Sequence, residues 1–98
     1  MQQSVYILKI VDYNDLSKEE NQERLERDIR RVIDGPVLDR ILIDLNKVSF
    51  ILSFVISQIV RLGRYCSKNR ISFRVTNAGE TYEMFKMLKL TNMFEVEP

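Results

Sequence analysis

Side chains that usually carry chemistry are sparse in this sequence, and where they stand narrows what it can do. Histidine is absent, which removes the commonest general base and the commonest metal ligand. The one cysteine, Cys66, can build neither a multi-thiolate zinc site nor an internal disulfide. Nothing beside it supplies the base and orienting acid that a thiol nucleophile needs, so it reads as a small apolar packing group. Gly35, Gly63 and Gly79 stand alone, and neither a phosphate-cradling loop nor a dinucleotide fingerprint can be written around them. No catalytic residue, metal or cofactor is expected. What remains is Ser53, in the middle of an apolar run, and the carboxylates Asp12, Asp15 and Asp44. Those three fall near strand ends, where open α/β sheets take ligands, but they do not assemble into an acid, base and nucleophile set.

An alternation of short apolar runs and amphipathic stretches positions these residues. Val5–Val11 is almost unbroken in apolar residues and too short for a typical helix, which predicts a strand buried on both faces. Ser17-x-x-Glu20 has the spacing of a capping box and places a helix start near Lys18. Leu25, Ile29, Val32 and Ile33 then recur at helical spacing, with Glu20/Arg24, Glu23/Arg27 and Glu26/Arg30 as i,i+4 pairs on the wet side. Gly35-Pro36 should end this helix, the glycine in a left-handed cap. Arg40–Leu45 predicts a central strand that continues through an Asn46-Lys47 turn or bulge into Val48-Ser49-Phe50. A second helix follows from about Ser53 to Lys68. Ile71, Phe73 and Val75 alternate with polar residues as a strand nearer the sheet edge, and Asn77-x-x-Glu80 caps a third helix through Tyr82, Phe85 and Leu88. Phe94 and Val96 close the order with a short strand. Such alternation favours a mostly parallel sheet with right-handed crossovers, in one domain over residues 1–98.

Between Phe50 and Ile56 six of seven residues are large and apolar, more than one buried helix face can absorb. If Ile56, Ile59 and Val60 face the sheet, Phe54 and Val55 form an exposed apolar patch, unless another helix covers them. Ser53 opens the same helix. Its hydroxyl can cap free amides, and a phosphate there would meet the positive end of the helix dipole and add about −1.5 to −2 charge. Arg61, Arg64 and Lys68 make a basic stripe along the helix, either a solvated face or a meeting place for an acidic partner. A net charge of +1 gives no general attraction to nucleic acid or to acidic membranes. The opening MQQSVYILKI has neither a basic leader nor a long apolar run, so no membrane insertion is expected and a reducing cytoplasm is the expected location.

At this junction Ile41-Leu42-Ile43-Asp44-Leu45, then Val48-Ser49-Phe50-Ile51, then Ser53 opening a helix, resemble the STAS domain of anti-sigma-factor antagonists. Phe73-Arg74-Val75-Thr76-Asn77 resembles the fourth strand of that family and its following turn, and Leu88 to Phe94 resembles its closing segment. The resemblance implies an α/β, STAS-like fold: a mixed, mostly parallel sheet of four to five strands with helices packed against it. It implies a partner switch in which the domain docks on an anti-sigma factor, often a serine kinase. Ser53 would be the phosphoacceptor, and Leu52, Ser53, Phe54, Val55 and Ser57 would lie in the partner interface. The chain departs from the family pattern around the acceptor, with Leu52 where an aspartate is usual and Phe54 and Val55 where small residues are usual. The glycine expected after the early strand is also replaced, near Asp12, with Asp15 matching the acid that follows it.

Three readings follow. One is a docking protein switched by phosphorylation of Ser53. Another is constitutive apolar docking through Phe54 and Val55, on a signalling partner or on a second copy of the chain. The last, from a different class, is a small enzyme or ligand carrier using Asp12, Asp15 or Asp44.

Overall fold

The computed structural model describes residues 3–98; Met1 and Gln2, the first residues of the expected domain and of its opening segment, lie outside them. Four strands, β1 (Val5–Lys9), β2 (Arg40–Asp44), β3 (Ser72–Thr76) and β4 (Glu95–Val96), alternate with helices α1 (Glu19–Asp34), α2 (Ser53–Lys68) and α3 (Tyr82–Met87). Short 3-10 turns at Ile10–Tyr13, Gly79–Thr81 and Leu90–Asn92 complete the order. The sheet runs β1-β2-β3-β4 and every neighbouring pair is parallel. This is the expected α/β sheet in its simplest form, four strands in sequence order.

That order explains the layering. Parallel neighbours taken in sequence, joined by crossovers of one hand, put every connecting helix on the same side of the sheet. Leu8, Ile41, Ile43 and Val75 point to that side and share one core with Leu25 and Ile29 of α1, Val55, Ile59 and Leu62 of α2, and Phe85 of α3. Val5, Ile7, Arg40 and Ser72 point the other way and are exposed. The pleat alternates, so one face is core and the other is wet.

β1 corrects one expectation. It is an edge strand rather than a doubly buried one, and it stops at Lys9 instead of reaching Val11. Ile10 and Tyr13, three residues apart on the tight turn that follows, both point inward and are buried. The apolar run is continuous because it serves two elements, a strand with one buried face and a turn that plugs the end of the core.

Helix ends also differ from the sequence expectation. Ser17 does not cap α1; its hydroxyl and amide both bond Asp15 Oδ1, at 2.6 and 3.0 Å, and no side chain caps the helix. Gly35 is extended (φ −88, ψ −170), not left-handed; a Cβ there would lie 2.9 Å from the Arg31 carbonyl oxygen, which is why a residue without one follows the helix. Of the three expected charge pairs on α1, Arg30–Glu26 forms at 2.7 Å. Arg24 instead lies over the Tyr13 ring and donates to the Asp12 carbonyl oxygen at 2.9 Å, tying α1 to the turn after β1. Asn77 does not cap the third helix. Its backbone is left-handed and its amide donates to Asp44.

Candidate functional site

The loops that leave the carboxyl ends of β1, β2 and β3 lie together at one end of the sheet. Each reverses direction through a residue with positive φ: Asn14, Lys47 and Asn77. Asp44, the last residue of β2, braces two of these loops, its Oδ1 accepting from the Asn46 amide at 2.9 Å and from Asn77 Nδ2 at 3.0 Å. Asp15 organises the third through Ser17, and the hydroxyl and amide of Ser17 hold its carboxyl below the usual carboxylate range. Asp44 and Asp15 thus hold loops in place. Among the described residues no group of three or more His, Cys, Asp or Glu could hold a metal ion.

Between the first two loops is an open hollow of about 500 Å³, lined mainly by Ile10, Val11, Leu16, Val48, Phe50 and Leu52. Asp15, Ser17 and Lys47 supply polar groups to the same hollow. Buried Ile51 and Val55 reach it from beneath. At its rim Phe50 is 71% exposed and Val11 40%. Two exposed apolar side chains on the lining of one hollow give it an apolar rim.

Ser53 is the first residue of α2 and is exposed. It is not a cap: Leu52 holds the N-cap position, in extended conformation, and no side chain bonds the free amides of the first turn. Those amides are available to an anion on the Ser53 hydroxyl. Leu52 and Phe54 are half-buried, with their bulk packed against the core, and Ser57 is exposed, its hydroxyl donating to the Phe54 carbonyl oxygen at 2.7 Å.

Val55 overturns the expected patch. It is 2% exposed and belongs to the core. The buried stripe of α2 is Val55, Ile59, Leu62, Gly63 and Cys66, one residue out of step with the expected Ile56, Ile59 and Val60. Leu62 and Cys66 set the phase, and counting back two turns from Leu62 lands on Val55. The helical spacing continues backward to Ile51, so Ile51, Val55, Ile59, Leu62 and Cys66 form one uninterrupted stripe in the sequence. That stripe leaves Phe50 outside it, and it was the available signal for the exposed ring. Val48-Ser49-Phe50, expected as more strand, is instead a loop, because Lys47 turns the backbone away from the sheet with φ 66.

Further along α2, Arg61, Arg64 and Lys68 are exposed, while Cys66 is buried and its thiol pushed up to about 11 by that burial. No helix among the described residues is long and apolar enough to cross a membrane.

The architecture is thus a parallel α/β sheet with helices on one face and a loop-built apolar rim at the strand ends. The family model for the STAS domain matches residues 6–98. The chain belongs to the STAS domain family. No curated protein matches it.

Proposed function

We propose that residues 1–98 act as one docking domain of the anti-sigma-factor-antagonist type, without enzymatic activity of its own. It binds an anti-sigma factor or serine kinase in the cytoplasm through the corner formed by Phe50, Val11 and the first turn of α2. The observation that carries this reading is the exposed Phe50 ring beside an exposed serine at a helix start whose amides no side chain caps. Leu52, Ser53, Phe54 and Ser57 frame the contact, and Val55 supports it from below. In this role Ser53 accepts a phosphoryl group from ATP on its hydroxyl oxygen, losing its proton. The added dianion must then be desolvated, or repelled, for the apolar corner to re-engage, so phosphorylation releases the partner.

Incubation with an anti-sigma serine kinase and ATP tests the switch directly. Wild type takes up label and Ser53→Ala does not; equal labelling of both, or of neither, refutes it.

A second reading, constitutive docking with no phosphorylation, is favoured by one feature: Ser53 is flanked by Leu52 and Phe54, where the resembled family pattern has an aspartate and a small residue. It predicts an unlabelled Ser53 together with a complex that Phe50→Asp abolishes. The complex forms with an anti-sigma factor or with a second copy of the chain, which sedimentation at two protein concentrations separates.

A further inference from the structure

The outer side of α2 carries a charge asymmetry that the corner at its start does not use. None of its sixteen residues is acidic, whereas α1 mixes acids and bases throughout. Ser53, Ser57, Arg61, Arg64 and Lys68 follow one another along its exposed ridge, two hydroxyls and then three cations. On α1, Arg30 and Arg31 have carboxylates within ion-pair distance and Arg24 is stacked on Tyr13, which leaves Arg27 as its one arginine without such a contact among the described residues. Arg61, Arg64 and Lys68 have none among the described residues. Three cations within two turns give this stretch of the ridge a single sign of charge.

Beside them lies a shallow hollow of about 540 Å³ where α2 meets α1, with apolar Ile33 and Val60, the half-buried Tyr65 and a rim of Arg61, Arg64 and Lys68. An apolar floor with a cationic rim matches an amphipathic segment whose apolar side enters the groove and whose flanking residues are acidic. Duplex nucleic acid would use the cations and leave the floor empty. A lipid surface would need a flatter and more apolar face.

We propose that this groove is the second half of the partner contact and takes an acidic amphipathic helix of the partner protein. The inference rests on the docking role proposed above and deepens it. Carboxylates of the partner lie against Arg61, Arg64 and Lys68, and its apolar side chains cover Val60, Tyr65 and Ile33. The arrangement also gives phosphorylation a reach beyond the corner. A dianion on Ser53, on the same ridge, repels an acidic segment that the three cations attract, so the sign of the ridge near its start decides whether the segment stays.

The test is a titration of the isotope-labelled full chain, followed by amide chemical shifts, with a synthetic helical peptide of about eighteen residues carrying leucines on one side and glutamates on the flanks. The expected result is a set of shifts confined to Ser57–Asn69 and Ile33, with binding weakened at least about tenfold when salt is raised from roughly 50 to 300 mM. Arg61→Glu/Arg64→Glu, whose positions are exposed, should fold normally and lose the response; Arg61→Gln/Arg64→Gln should show an intermediate loss. Exchanging the peptide glutamates for lysine, or its leucines for serine, should abolish binding. No shift on α2, or an equal response to the serine peptide, overturns the proposal. A stronger response to phosphatidylserine vesicles or to duplex DNA overturns it as well. Ser53 labelling by a kinase with a silent α2 would leave the docking role standing and remove this inference alone.

Discussion

Phe50 and Ile51 are adjacent in the chain and lie on opposite sides of the protein surface: Phe50 is 71% exposed and Ile51 3%. The pair separates binding from stability. Phe50→Asp should leave unfolding free energy within about 0.5 kcal/mol of wild type while weakening the partner complex by about 2 kcal/mol or more, near thirtyfold. Ile51→Ala should cost about 2–5 kcal/mol of stability, because it opens a cavity in the core. Urea denaturation and titration calorimetry on the two variants measure both halves of the prediction. Partner binding that survives Phe50→Asp would remove the corner as the docking site.

Asn14 carries φ 60 and ψ −131, a conformation that glycine adopts easily and other residues adopt under strain. Asn14→Gly relieves a strain of about 1–3 kcal/mol and adds up to about 1 kcal/mol of unfolded-state entropy, so a net gain near 1 kcal/mol is expected. Thermal unfolding should shift upward by several degrees.

Gly63 sits on α2 beneath the edge-on pair of Phe73 and Phe94, whose ring centroids are 5.1 Å apart. A Cβ at Gly63 would stand 3.0 Å from Phe94 Cδ2 and 3.1 Å from Phe73 Cε2. Alanine gains about 1 kcal/mol of helix propensity there, but overpacking costs about 1–3 kcal/mol, and the steric term should win. Gly63→Ala is therefore expected to destabilise, and less so in a Phe94→Leu background. A double-mutant cycle reads the coupling, and strictly additive effects would contradict the contact.

Burial raises the Cys66 thiol from its ordinary 9.0 to about 11 and raises the Tyr13 phenol above its ordinary 10.0, the latter with help from its hydrogen bond to Asp28. Both folded groups hold their protons more tightly than the unfolded chain does. Their contribution to stability is therefore complete below pH 9, and the thiol part is lost as pH climbs through about 11. Denaturation followed from pH 8 upward should show a falling limb that Cys66→Ala flattens over this window. Alkylation of Cys66 at pH 8 should be slow in the folded protein and fast in urea.

Most of the architecture was legible because short apolar runs and amphipathic stretches alternate cleanly. α1 and α2 lie within a residue or so of their expected bounds and Arg40–Asp44 is central, but β2 lacks the expected extension to Phe50, and β3, expected nearer the edge, is paired on both sides. Among the differences from the sequence expectation, two have a common physical cause each. Polar side chains with several local partners chose different ones: Ser17 took Asp15 instead of the helix amides, and Asn77 took Asp44. The other error was rotational. A hundred degrees separates neighbours on a helix, so assigning Ile56 and Val60 to the core put Val55 outside when Leu62 and Cys66 required it inside. The exposed apolar corner exists, but its ring is Phe50, which stands in the loop after the positive-φ turn at Lys47 and outside the buried stripe that runs from Ile51 into α2.

The register of the sheet sets how the chain can reach this structure at all. Val5 aligns with Arg40 and Arg40 with Ser72, so every strand pairing must wait for an intervening helix to be threaded across the sheet. The described strands contain no hairpin from which pairing could start locally. Pairings this far apart in the chain predict a refolding time of milliseconds to seconds rather than microseconds. A nascent chain synthesised only as far as Lys68 lacks β3, leaving one side of β2 unpaired until Ser72–Thr76 arrives.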